Sequence, residues 1–247
     1  MDALRLLFVS FIITASFSSG FASKVKLELY YESLCPYCSN LIVNYLYEVF
    51  ESDLASITDL KLIPYGNAKI SPNGTIICQH GINECILNTV EACAIDAWPD
   101  VKDHFPFIYC VESLVYHKNY SHWETCFQKL NLDSSAVASC YVSERGKELE
   151  LAYAAETSAL QPPHKYVPWV TVDGQPLYDD YRNFISYICN AYKGTTKPSA
   201  CSESSMRKSI RKVMMDSMTS LYTEVTYKSK MSQIRQYILK WLDQVMQ

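Results

Sequence analysis

The sequence predicts an α/β fold with a largely helical middle section. Three observations carry this: a polar/apolar alternation at 24–31, a helical apolar face directly after it, and a second short strand at 60–64. Lys24-Val25-Lys26-Leu27-Glu28-Leu29-Tyr30-Tyr31 alternates as a half-buried strand does. Leu41, Ile42, Tyr45, Leu46, Val49 and Phe50 then fall on one helical face. Pro36 is compatible with that helix only at its start, where a missing N–H costs nothing because first-turn donors are unpaired anyway. Cys35 is thereby placed at a helix N-terminus. Leu60-Lys61-Leu62-Ile63-Pro64 reads as the second strand, closed by Pro64 and Gly66. Strand, helix and strand in this order predict a βαβ unit with a parallel pair.

From about 71 to 160 the pattern is mainly helical. Ile82, Cys85, Ile86, Val90 and Cys93 follow helical spacing, and further helices are expected around 111–116, 123–130 and 142–155. Cys85 and Cys93 would share one helix face about 12 Å apart, beyond the ~7 Å Cα limit of a disulfide, so each needs a partner from elsewhere. Cys110, Cys126 and Cys140 are further candidate staples. Trp169 to Val172 reads as a strand before the turn signal Asp173-Gly174. Within 179–192, Phe184, Ile185, Ile188 and Tyr192 mark a helix that ends near Gly194 and Pro198.

The composition is globular: 247 residues, 49% hydrophobic, 19% charged, seven glycines and ten cysteines. A net charge of −4 lacks the basic footprint that nucleic-acid binding needs. The apolar run Leu6 to Ile13, with small Gly20 and Ala22 before the cut, reads as a signal peptide over 1–22, too short in its apolar part to span a bilayer. Asn73-Gly74-Thr75 and Asn119-Tyr120-Ser121 are glycosylation sequons compatible with that route, marking Asn73 and Asn119. Residues 204–247 carry eight Lys or Arg against three Asp or Glu, net +5, which leaves −9 on the rest. Within this basic tail, Ile234, Tyr237, Ile238, Trp241, Leu242 and Val245 form an amphipathic stripe. Docking on the acidic body, or fraying, is preferred over contact with a membrane surface.

Cys35-Pro36-Tyr37-Cys38, between a strand and a helix, carries the chemistry. Free N–H groups and partial positive charge at a helix start stabilise a thiolate, and one turn places a second thiol beside the first. Cys35 is read as the exposed nucleophile and Cys38 as the more buried resolving thiol. An unperturbed thiol would be only ~0.03% thiolate at pH 5, so function in acid needs Cys35 depressed. His80, His104, His117, His122 and His164 are each able to contribute as imidazolium. Two other readings stand beside this one: an inert bridge in a non-catalytic disulfide-rich binding glycoprotein, and half of a zinc site with Cys78 and His80 as the nearest second pair. The preferred reading includes no metal. No Gly-rich phosphate loop follows a strand, so no nucleotide or flavin cofactor is expected and electrons come from an external small-thiol or protein-thiol donor.

The segment Cys78-Gln79-His80-Gly81-Ile82-Asn83-Glu84-Cys85-Ile86-Leu87-Asn88-Thr89-Val90-Glu91-Ala92-Cys93 closely resembles the signature of the gamma-interferon-inducible lysosomal thiol reductase family. Pro64-Tyr65-Gly66-Asn67-Ala68 and Leu160 to Val172 share the resemblance, which covers roughly 25–201. It implies a thioredoxin-like α/β fold over 23–202 with a largely helical, disulfide-stapled insertion at about 71–160. It also implies a thiol-disulfide oxidoreductase that reduces protein disulfides in an acidic endolysosomal or vacuolar compartment, or after secretion. Cys35 and Cys38 match the redox pair, and Val167 and Pro168 match the cis-proline loop that faces it and binds substrate. The tail after Cys201 departs from the family's usual ending, and the resemblance assigns no catalytic step to the Cys78 signature.

Overall fold

A computed structural model describes residues 23–203, together with 205–206, 209, 211–216 and 219. The expected leader and the apolar stripe at 234–245 lie outside the described residues.

The centre of the fold is β1 (Val25–Tyr31). It pairs in parallel with β2 (Thr58–Pro64), in register from Val25↔Thr58 to Tyr31↔Pro64, as the βαβ reading predicts. On its other edge it pairs antiparallel with β5 (Trp169–Val172), and the turn at Asp173-Gly174 returns the chain into β6 (Gln175–Pro176). The order β2-β1-β5-β6, with the first pair parallel and the rest antiparallel, is that of a thioredoxin-like sheet. One correction concerns β1: its alternation suggests one wet face, yet only Lys26 is exposed. Glu28 is buried as well, accepting from the Thr171 hydroxyl at 2.8 Å and pairing with Lys26 at 2.6 Å. A central strand covered on both faces loses the period-2 exposure of an edge.

One face of the sheet presents Leu27, Leu29 and Leu62 to the helical run after Cys35 and to α8 (Phe184–Ala191), whose Phe184, Ile185 and Ile188 are buried. Each such side chain removed from water contributes about 1.5–3 kcal/mol. The expected helix after Cys35 is present but not uniform: α1 (Pro36–Leu41) passes into a π-helical turn at 42–46 before α2 (Glu48–Glu51). The wider turn brings Leu41, Ile42, Val43, Tyr45 and Leu46 all into the interior, more than a regular helix face accepts. The segment expected as helix from 179 begins with a 3-10 stretch at Tyr178–Asn183.

Between β2 and β5 lies the helical insertion: α3 (Ile82–Ala97), α4 (Val101–Tyr116), α5 (Thr125–Leu130), α6 (Ser135–Tyr141) and α7 (Glu144–Ser158). It has its own core of Leu87, Val90, Phe107, Val111, Phe127 and Val137. Three features depart from the sequence expectation. A small hairpin, β3 (Lys69–Ile70) with β4 (Ile76–Ile77), opens the insertion. α6 is present where no helix is expected. α4 starts ten residues earlier than expected and runs through Pro106, which is tolerated because Lys102, whose carbonyl it leaves unbonded, is on the solvent side.

Eight cysteines are bridged: Cys78–Cys85, Cys93–Cys140, Cys110–Cys126 and Cys189–Cys201. As helix geometry requires, Cys85 and Cys93 do not pair. Cys35 and Cys38 are the free pair.

Candidate active site

β1 delivers the chain to the Tyr31–Leu34 segment, and Leu34 turns it with φ +64° into Cys35. Cys35 caps the helix with extended backbone, Pro36 occupies its first turn, and the Ser39 N–H donates to the Cys35 carbonyl at 3.0 Å. This local order follows from the sequence: an apolar strand, a turn, and a proline that can begin a helix but not interrupt one.

The two thiols differ sharply in environment. A hydrogen bond from the Cys38 thiol holds the Cys35 pKa below the ordinary thiol range, aided by the backbone N–H groups of Cys38 and Tyr37 and opposed by burial and by Glu32. Burial drives Cys38 well above that range, and its contact with Cys35 adds to the rise. The effect on Cys35 thus arises from the neighbouring thiol and the helix start rather than from an imidazolium. Accordingly, alkylation of Cys35 by iodoacetamide is expected to rise at a lower pH than that of a free thiol (~8.5). A rate that climbs only above pH 8 would contradict this assignment.

Cys35 is not the exposed residue expected from sequence: it is 4% accessible, against 0% for Cys38. The residues that protrude are Pro36 and Tyr37, the latter at 61%. The cover over Cys35 comes partly from the loop before β5, where the Cys35 thiol donates to the Val167 carbonyl at 3.9 Å. The Val167-Pro168 peptide is cis, and both residues are buried. The structure therefore brings Cys35, Cys38 and Val167 together with the adjoining Pro168. Asn73 and Asn119 take no part in this chemistry and lie exposed on the insertion.

Of the histidines, His104 is buried and donates from Nδ1 to the Trp98 carbonyl, and His117 donates likewise to Ser113. His80 stands beside two carboxylates: its Nδ1–H donates to Glu84 Oε2 at 2.7 Å and lies 3.5 Å from Glu32 Oε1. Zinc on Cys78 and His80 is overturned, since Cys78 is bridged to Cys85 and has no thiolate to offer. Glu32, His80 and Glu84 are the described residues whose donor atoms cluster, within 4.8 Å. Among those atoms only Glu32 Oε1 lacks a hydrogen bond.

Buried carboxyl groups lie on and against the Tyr31–Ser33 segment that leads to the dithiol, and the sequence holds no sign of their burial. The Tyr31 hydroxyl donates to Glu91 at 2.6 Å and the Ser33 hydroxyl to Glu112 at 2.8 Å. Burial pushes Glu112 up to about 7 and Glu91 well above the usual carboxylate range, each raised further or relieved by its neighbour. Glu32 is raised to about 6, chiefly by burial, against the Asn67 N–H that it accepts.

A sheet of this order, with two free thiols at the first helix start opposite a cis-proline loop, defines a thioredoxin-like thiol-disulfide oxidoreductase. Comparison with known proteins agrees and narrows the class. Residues 26–130 match the family model described as gamma interferon inducible lysosomal thiol reductase. The chain is 46% identical over 214 residues to the gamma-interferon-responsive lysosomal thiol protein of Arabidopsis thaliana, covering 83% of this chain and 89% of that one. It is 37% identical over 194 residues to the gamma-interferon-inducible lysosomal thiol reductase of Mus musculus, covering 76% and 75%. Among solved structures, MdbA, a thiol-disulfide oxidoreductase from Actinomyces oris, superposes with a TM-score of 0.48 at 12% identity over 70% of this chain and 84% of that one. The chain belongs to the gamma-interferon-inducible lysosomal thiol reductase family. That membership settles the choice between an enzyme and a non-catalytic binding glycoprotein.

Proposed function

We propose that this protein reduces disulfide bonds of protein substrates through Cys35 and Cys38, in an acidic endolysosomal or vacuolar compartment reached by the secretory route. The observation that carries the reading is the free pair of thiols, Cys35 at a helix start against the cis Val167-Pro168 loop and Cys38 one turn on, in a chain whose other eight cysteines are bridged. The Cys35 thiolate attacks one sulfur of the substrate disulfide. A Cys35–substrate bond forms, the substrate S–S bond breaks, and the first substrate thiolate leaves and takes a proton. Cys38 then loses its proton and attacks Cys35 Sγ, which releases the second substrate thiol and leaves a Cys35–Cys38 disulfide. Two electrons have passed to the substrate. Two equivalents of an external thiol donor restore the dithiol and leave as their own disulfide. The Val167-Pro168 loop, seated on Cys35, is the surface against which the substrate's main chain lies.

The compartment is supported by the names of the relatives, by the predicted leader at 1–22 and by the exposed sequons at Asn73 and Asn119, which we assign as glycosylated. No helix among the described residues is long and apolar enough to cross a membrane. Insulin reduction with a small-thiol donor between pH 4.5 and 7 tests the function. Turnover is expected for the wild type and none for Cys35→Ser. No wild-type turnover, or full turnover in Cys35→Ser, would reject it.

A further inference from the structure

The Cys78–Cys93 signature has no role in the steps above, yet its polar residues converge on one place. Glu84, Asn88 and Glu91 follow one another at helical spacing along one face of α3, with His80 one turn before Glu84. Glu84, Asn88 and Glu91 are all fully buried. What they face is the three-residue segment immediately before the Leu34 turn and Cys35. Glu91 accepts from the Tyr31 hydroxyl at 2.6 Å. Asn88 Oδ1 accepts from the Ser33 backbone N–H at 2.8 Å. His80 stands 3.5 Å from the Glu32 carboxylate, and Glu84 holds His80 through its ring at 2.7 Å and its backbone N–H at 2.5 Å.

The second matching motif closes the same grip. Glu32 Oε2 accepts from the Asn67 N–H at 2.7 Å. Gly66 has φ +59°, and a Cβ there would collide with the Glu32 side chain, so the glycine makes room for it. Gly81, at φ +84°, lets the chain enter α3 just after His80. The Cys78–Cys85 bridge ties the strand-side residue Cys78 to the first turn of α3 and so fixes His80 between them.

We propose that the signature face His80-Glu84-Asn88-Glu91 is the positioning element of the dithiol. It holds Tyr31, Glu32 and Ser33 residue by residue and thereby sets Cys35 against Cys38. These are positioning residues: none touches the sulfur atoms. The inference rests on the proposed reductase function, and it gives the insertion a part in a redox pair that the small sheet carries. A loop held at three consecutive residues keeps the thiols preorganised for internal disulfide formation. Loosening it lowers their effective concentration for each other.

The test uses full-length protein and two readouts: the equilibrium of the Cys35–Cys38 couple with glutathione, and the lifetime of the mixed disulfide with a reduced-and-trapped insulin chain. Asn88→Ala is expected to lower the equilibrium constant for internal disulfide formation by about tenfold or more and to lengthen the mixed-disulfide lifetime similarly. Asn88→Asp, which keeps the acceptor for the Ser33 N–H, is expected to restore both at pH 5, where a buried carboxyl is protonated. Val137→Ala, a buried cavity on α6 in the insertion core that removes no polar contact to Tyr31, Glu32 or Ser33, serves as the control for lost stability alone and is expected to leave both unchanged. His80→Ala, on the half-exposed rim, supplies an independent variant with a shift in the same direction should Asn88→Ala not fold. If Asn88→Ala and His80→Ala match Val137→Ala while the wild type turns over, the positioning role is wrong and the reductase function stands. If the wild type does not turn over, the function itself has failed.

Discussion

Acidification from about pH 8 to about pH 5 is expected to raise the melting temperature, by about 5 °C or more. Glu112 and Glu150 are buried without a cationic partner among the described residues, and burial pushes them up to about 7 and about 8, with Glu91 raised well above the usual range. Both Glu150 oxygens lack any hydrogen bond. A carboxyl whose folded pKa exceeds its unfolded one contributes stability that is fully present below the unfolded value, near 4.5, and is lost as pH rises through the folded value. The window is therefore pH 4.5 to 8. A tenfold change in proton affinity between the unfolded and folded chain is worth about 1.4 kcal/mol at most, so even a heavily discounted sum over these groups exceeds about 2 kcal/mol. For a domain of this size that is about 2–4 °C per kcal/mol.

Opposing groups bound the effect from below. Burial lowers the pKa of His104 and His164, so their contribution is lost as pH falls below the ordinary imidazole range. Asp53 and Asp96, lowered by the Ser199 N–H and by Arg145, lose theirs below about pH 4. Thermal unfolding followed by near-ultraviolet circular dichroism at several pH values measures the balance. Glu150→Gln should be more stable than wild type at pH 8 and show a flatter profile. A wild-type melting temperature that is level or falls on acidification to pH 5 would overturn the expectation. The result would also give the fold itself a reason to favour an acidic compartment.

The second large effect concerns the resolving thiol. Cys38→Ala is expected to accumulate a covalent mixed disulfide with substrate and to lose at least about a hundredfold in turnover, because external thiol at millimolar concentration replaces an internal attacker of far higher effective concentration. The order of events follows from the environments: Cys35 is lowered and lies beside the cis-proline loop at Val167, whereas Cys38 is fully buried and raised. It becomes reactive only when the Cys35 sulfur is already bonded to substrate. Non-reducing electrophoresis after acid quenching shows the adduct, and Cys35→Ala serves as its blank. Trapping by Cys35→Ala, with Cys38→Ala active, would reverse the assignment.

Much of this was legible in the chain itself. β1, β2, β5, the helix start at Pro36 and the turn at Asp173-Gly174 each depend on interactions within a few residues, and such interactions leave periodicity and proline or glycine placement as their trace. The pairing of Cys35 with Cys38 belongs to the same kind, since one helical turn joins them. The hairpin at Lys69–Ile77 and α6 escaped because both are short and mostly exposed, so neither has a clean period.

The burial of Glu84, Glu91, Glu112 and Glu150 could not be read from sequence. On a helix a glutamate looks the same whether it faces water or another element, and α7 shows almost no segregation of polar from apolar residues around its axis. Only the packing of the insertion against the end of β1 decides which acids lose solvent and which backbone groups they hold. The same is true of Cys35, exposed by every local argument and covered once the Val167 loop folds over it. The chemistry of the site was readable from the residues alone, because a thiol pair at a helix start is a local arrangement. Tertiary structure alone decided its surroundings, because desolvation and hydrogen bonding across 55 residues, as between Ser33 and Asn88, arise only when distant segments meet.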